Sequence, residues 1–184
     1  MSQGETKIKV KLEGLVPIMF DRYSGDNGIQ LDPEDKVYKN KKGQLHLPAI
    51  NIVSFLSAQN TESAPQRILG RGWRAVAKAA LSFVIINPME IPFTKKGKAA
   101  TLKDIHVENH VARVKKAGSS IPMLKERPVL DAPWELVFEI NLIDNKDLQE
   151  NVLKKLFEQG GISIGLGTFR GVYGKFAVKE WKVK

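Results

Sequence analysis

Apolar and polar positions alternate strictly through Lys7-Ile8-Lys9-Val10-Lys11-Leu12, which puts Ile8, Val10 and Leu12 on one face and lysines on the other. This is the pattern of a half-buried first strand, expected to continue through Leu15 to Phe20. A polar excursion from Asp21 to Gly43 follows, where the turn signals Asp26-Asn27-Gly28 and Lys42-Gly43 bracket the apolar pair Val37-Tyr38. After Leu45-His46-Leu47-Pro48, Ile52, Val53, Phe55 and Leu56 recur at helical spacing over Ala49 to Gln59, with Pro48 where a helix start tolerates it. Gln66 to Ala80 reads as a basic helix, interrupted or started late by Gly70 and Gly72. Leu81-Ser82-Phe83-Val84-Ile85-Ile86 is a nearly continuous apolar run, the mark of a central strand, closed by Asn87-Pro88. Pro133 to Leu142 alternates again, with Leu136, Phe138, Ile140 and Leu142 inward. Asp144 or Asn145 is expected to cap a helix whose stripe is Leu148, Val152, Leu153, Leu156 and Phe157 and which Gly160 ends. The last strand runs from about Lys175 through Val178 to Trp181 and Val183.

Strand, helix, strand, insertion, strand, helix, strand is the βαββαβ order of an α+β, ferredoxin-like (RRM-like) domain, an antiparallel sheet with both helices on one face and the other face open. The 184 residues are read as a single domain, 1–184, with 94–128 as an inserted basic arm. Within the arm, Ile105-His106-Val107-Glu108 and Val111-Ala112-Arg113-Val114 alternate like the two strands of a protruding hairpin, with Lys115, Lys116 and Gly118 beyond.

Charge changes the picture because of where it sits. The formal net charge is +9. The segment 64–82 holds Arg67, Arg71, Arg74 and Lys78 and no acid, and 94–128 has nine basic residues against three acids, so the two segments account for the whole excess. Spacings of 4, 3 and 4 place the four cations of the first segment on one helical stripe, where they repel one another unless a polyanion is the partner. No amphipathic apolar helix accompanies them, which favours nucleic acid over a membrane surface. There is no cysteine, hence no disulfide framework, thiolate metal site or cysteine nucleophile. No apolar run approaches the length of a membrane span, and the expectation is a cytoplasmic protein without membrane association.

Gly160 to Gly174 contains six glycines, with Phe169, Arg170 and Tyr173 among them and Lys175 next. Such a stretch suits a loop that brings backbone amides and cations to phosphates and aromatic rings to bases, as single-stranded nucleic acid requires. It equally suits a glycine-rich turn with core aromatics. The carboxylates Asp21, Asp26, Asp32, Glu34 and Asp35 lack the spacing of a calcium loop. His46, between Leu45 and Leu47, is expected to face away from the core. His106 and His110 are not expected to converge on a metal. Neither cofactor nor metal is expected.

The element order, the loop Gly165-Leu166-Gly167-Thr168-Phe169-Arg170-Gly171-Val172-Tyr173-Gly174-Lys175-Phe176 directly after the second helix, and the insertion together resemble the repeat-associated mysterious proteins (RAMP superfamily) of CRISPR systems, most of all the backbone subunits that polymerise along guide RNA. The resemblance implies a glycine-rich loop lying against RNA and an inserted arm acting as a thumb. Carried over, Gly165, Gly167, Arg170, Gly171, Gly174 and Lys175 belong to the loop, and Arg113, Lys115 and Lys116 to the thumb. Leu47-Pro48-Ala49-Ile50-Asn51 departs from the Pro-Gly-Ser-Ser turn of many members. The function implied is a non-catalytic protein binding single-stranded guide RNA beside copies of itself or other subunits, as part of a ribonucleoprotein in antiviral defence. The alternatives are a RAMP-type endoribonuclease using His46 or Asp21, or a phage or mobile-element interaction protein that turns its basic surface to an acidic protein.

Overall fold

The alternation around Ile8 becomes strand β1 (Glu5–Gly14) at the centre of an antiparallel sheet. The computed structural model describes residues 4–26, 29–57, 62–116 and 118–184, so the Asn27-Gly28 turn lies outside the described residues. Ile8, Val10 and Leu12 are fully buried. Because β1 is flanked on both sides, its register fixes the rest. It pairs with β9 (Glu135–Ile143), where Val10 faces Phe138, and with β10 (Phe176–Val183), where Val10 faces Trp181. Beyond β9 lie β4 (Val84–Asn87) and β5 (Glu90–Lys95), and β3 (His46–Pro48) pairs with β5. The short β6 (Lys98–Ala99) also pairs with β5.

Four helices accompany this sheet among the described residues: α1 (Ala49–Ser57), α2 (Ala64–Leu69), α3 (Trp73–Phe83) and α4 (Glu150–Ser163). The fold is α+β. Phe157 of α4 is the hub of the core, with ring centroids 5.6 Å from Phe55, 6.1 Å from Phe138, 6.5 Å from Phe176 and 5.5 Å from Trp181. Gly160 and Gly161 lie inside α4, not after it. A methyl at Gly160 would sit 2.6 Å from Phe55, and one at Gly161 2.6 Å from Phe176, so these two glycines let the helix close onto its neighbours. The helix begins at Glu150 after Gln149, while Asn145 caps a turn by accepting the amides of Asp147 and Leu148.

The opposite face of the sheet carries a cross-strand set of ion pairs. Lys9 meets Glu180 at 3.2 Å, Lys11 meets Glu135 at 2.7 Å, Lys179 meets Glu13 at 3.0 Å, and Lys184 meets Glu139.

A second sheet orders β2 (Ile18–Met19), β8 (Ser119–Leu130) and β7 (Ile105–Lys116). The two alternating segments expected to face each other as a hairpin are one strand, β7, and β8 is its partner along twelve paired residues. The first strand does not reach Phe20. A methyl at Gly14 would enter the ring of buried Trp134, whose Nε1 donates to Val16 O at 2.9 Å, so the chain crosses over the indole and re-forms as β2 against β8. Leu81 to Phe83 are helical, and the strand after them flanks β9 instead of lying centrally, with Ile85 exposed.

Candidate nucleic-acid interface

The glycine loop is built by long-range backbone bonds. As α4 ends, Ile164 N and Gly165 N both donate to Gly160 O, and Gly171 N returns to Ile164 O at 2.7 Å. Thr168 N donates to Met19 O and Gly174 N to Pro17 O, while Leu166 N meets Gly174 O, which fastens the loop to the β1–β2 crossing. Gly165 (φ +81), Gly167 (φ +78) and Gly174 (φ +72) hold left-handed conformations with backbone packed against them: a methyl at Gly165 would be 2.5 Å from Gly174 O, one at Gly167 2.6 Å from Met19 O, and one at Gly174 would collide with Leu166 O. The fold itself therefore requires these three, and their neighbouring amides are engaged inside the protein. Gly171 (φ +89) differs, since nothing lies within 4 Å of its added methyl.

The side chains of the loop divide. Tyr173, expected to stack on bases, instead turns to the hairpin and donates its hydroxyl to Glu108 at 2.5 Å. Phe169 sits on the outer turn at φ +52, 44% exposed, with the Arg127 guanidinium 5.0 Å from its ring and the His110 ring 5.4 Å away. Arg127 is 6% exposed and its Nε donates to Asp21 at 2.9 Å. Arg170 has a buried Nη1 without a hydrogen-bond partner, and burial pushes its guanidinium below the usual arginine range, with no carboxylate among the described residues to compensate.

Beside Arg170 opens a cleft of about 500 Å³ lined by Glu62, Arg67, Ser163, Ile164, Gly167, Thr168, Phe169 and Gly171. Arg67 reaches it while paired with Glu62 at 2.6 Å. The structure thus joins Arg67, Gly167, Phe169, Arg170 and Gly171. It does not join the rest of the basic stripe, because Gly70 (φ +59) and Gly72 (φ +88) end α2 and start α3 in conformations no helix continues. Arg71 falls in that break, and Arg74, 5.0 Å over the Trp73 ring, lines a separate cleft with Lys78 and Asp147. Arg113 is exposed on β7, on the face opposite Glu108 and His110. The side chains of Lys115 and Lys116 lie outside the described residues. Lys175 is half-buried at the end of the loop, its carbonyl accepting from Leu15.

The candidate catalytic side chains are otherwise engaged. Asp21 accepts from Arg127. His46 is buried, contrary to expectation, because its strand is covered on the Tyr38 side, where the two rings are 6.0 Å apart. Burial pushes its imidazole down against the opposing pull of Glu90. Among the described residues no group of three or more His, Cys, Asp or Glu is arranged to hold a metal, and no helix is long and apolar enough to cross a membrane.

Sequence reasoning missed His106, Glu108, His110 and Arg127. The two histidines do converge, on Glu108: Nε2 of each lies 3.1 Å from one carboxylate oxygen. The signal was present, since positions 106, 108 and 110 share one face of any strand. These three donors, Tyr173 foremost, hold the Glu108 carboxyl below its ordinary value, and the same bond raises the Tyr173 phenol.

No family model matches the sequence, and no curated protein matches it. Among solved structures the chain is similar to a chain of the type III-B Cmr-beta bound to cognate target RNA, with a TM-score of 0.55 and 13% identity. The match covers 97% of this chain and 60% of that one. The two share a fold. This chain spans three-fifths of the other's length.

Proposed function

We propose that the protein is a RAMP-type, non-catalytic RNA-binding subunit that takes single-stranded guide RNA along the glycine loop and assembles with copies of itself or other subunits of a CRISPR-type ribonucleoprotein in the cytoplasm. The strand order β10–β1–β9–β4, antiparallel throughout, supports a ferredoxin-like reading of the sheet, with 1–184 as one domain and 94–128 as its thumb-like arm. The fold shared with a chain solved on target RNA supports the ligand class.

The observation that carries the reading is Arg170. A partly desolvated guanidinium with no paired carboxylate is costly, and here it stands at a cleft whose other walls offer Arg67, held by Glu62, the Thr168 hydroxyl and the exposed edge of Phe169. A phosphodiester drawn to the two guanidinium groups, with its base on Phe169, uses these groups together. The open sheet face is the poorer platform, since its lysines are paired across strands and β1 presents no aromatic ring. Asp21, held by Arg127, is structural in this reading.

Fluorescence anisotropy with single-stranded RNA, single-stranded DNA and duplex tests it. Affinity for the RNA should fall with salt at a slope of roughly 0.7 per phosphate neutralised. Arg170→Ala should lose about 1.5–3 kcal/mol of binding while melting at or above the wild-type temperature. Equal affinity in wild type and Arg170→Ala would falsify the cleft as the site.

A further inference from the structure

We infer that His106 and His110, bridged through Glu108 to Tyr173 of the glycine loop, are a proton-operated latch that couples RNA affinity to pH. The inference rests on the RNA-binding reading above and names a regulation of that same site.

The geometry joins two elements far apart in sequence. Glu108 Oε2 accepts from Tyr173 at 2.5 Å and meets His110 Nε2 at 3.1 Å, while Oε1 meets His106 Nε2 at 3.1 Å. His110 also packs against both loop aromatics, 5.4 Å from Phe169 and edge-on at 6.0 Å from Tyr173. His106 reaches Asp131 through Nδ1 at 3.6 Å. The remaining charged groups around this face are Lys125, opposite His110 in register, Arg127, opposite Glu108 and paired with Asp21, and the buried Lys36 beside Asp21, Lys125 and Arg127. With neutral histidines, Glu108, Asp131 and Asp21 balance Lys36, Lys125 and Arg127. With both protonated, the patch carries two positive charges.

Protonation acts twice in the same direction. An imidazolium bonds Glu108 more strongly than an imidazole does and faces Phe169 as a cation, which holds the loop in place. The patch, balanced before protonation and positive after it, also attracts the strand that Phe169 and Arg170 contact. Conversely, a bound polyanion raises the histidine pKa values, so the complex takes up protons relative to the free protein. Affinity therefore rises as pH falls through the histidine range and is lost above it.

The chain has three histidines, and His46 is buried against Tyr38, so the two imidazole signals missing from the double variant are those of the latch. The test measures affinity for a labelled single-stranded RNA oligomer from pH 5.5 to 8.0 at fixed ionic strength and, without RNA, the histidine titrations by NMR. The proteins are wild type, Glu108→Gln and the double variant His106→Gln/His110→Gln. We expect roughly tenfold tighter binding at the acid end, which corresponds to one unit of summed pKa rise on binding, and less than about twofold dependence in the double variant. Glu108→Gln should lessen the pH dependence of affinity as the double variant does. Binding that is pH-independent in wild type, or equally pH-dependent in the double variant, overturns the coupling and leaves the RNA reading intact. Affinity in Glu108→Gln that follows the wild-type pH profile overturns the latch. No binding at any pH overturns the RNA reading and this inference with it.

Discussion

At the scale of single residues, two glycines of the loop make opposite demands. Gly174 is left-handed and has no room for a methyl against Leu166 O, whereas Gly171 is left-handed in open space. Gly174→Ala should therefore cost about 2–3 kcal/mol and Gly171→Ala about 1 kcal/mol, measured by urea unfolding of both variants beside wild type. Equal costs would mean that backbone conformation alone sets the penalty. Tyr173 supplies a pH-dependent counterpart. Its phenol is raised above 10.0 by the bond to Glu108, so the stability from that bond is full below pH 10 and is lost as pH rises through the higher folded-state value. The Glu108 carboxyl, lowered below 4.5, loses its share as pH falls through the folded-state value. In urea melts between pH 9 and 11, Tyr173→Phe should fall less steeply with pH than wild type. Parallel curves would show that the hydroxyl bond adds nothing to the folded state.

Among the elements, the hairpin is two things in one. Its base is core: Val129 and Leu130 are fully buried, Ile18 and Met19 pair with them, and Lys36 Nζ donates to Glu126 O from a buried position. Its outer half, from Val111 across to Leu124, presents Val111, Ile121, Met123 and Leu124 to solvent. Excising Val111 to Leu124 and joining His110 to Lys125 by a short turn should leave melting within about 1 kcal/mol of wild type and weaken RNA binding. Unfolding of this variant would show that the outer strands also stabilise the core. The base explains why the arm could only be half-read from sequence. Alternation reports strands correctly, but the polar pair Asn109-His110 reads as the turn between them, whereas the strand runs through it and His110 packs on the loop. The basic stripe failed for the reverse reason: charge spacing keeps Arg67, Arg71, Arg74 and Lys78 on one stripe even with an interruption at Gly70 and Gly72, whereas the positive φ angles of those glycines divide the segment into two helices and scatter the cations. By contrast β1, α1 and β9 were legible, because strict periodicity and burial on one face fix their placement, and β10 was legible as a strand although its pairing with β1 shifts register between Val178 and Glu180.

For the whole molecule, the feature with the widest reach is how the glycine loop is fastened. Composition announced the loop, yet its backbone partners Pro17 and Met19 lie about 150 positions away and leave no local trace in sequence. Anchored by α4 at one end, by the β1–β2 crossing in the middle and by Glu108 at the Tyr173 turn, the loop has little freedom to change shape when a ligand arrives. On the proposed function, adjustment then falls on the nucleic acid, and the entropy of ordering is borne by the strand. Association should accordingly follow a single exponential in stopped flow, with a rate linear in protein concentration. Strands that stack with themselves, such as oligoadenylate, must come apart before they fit, so their on-rate should lag behind that of oligouridylate at equal length and salt.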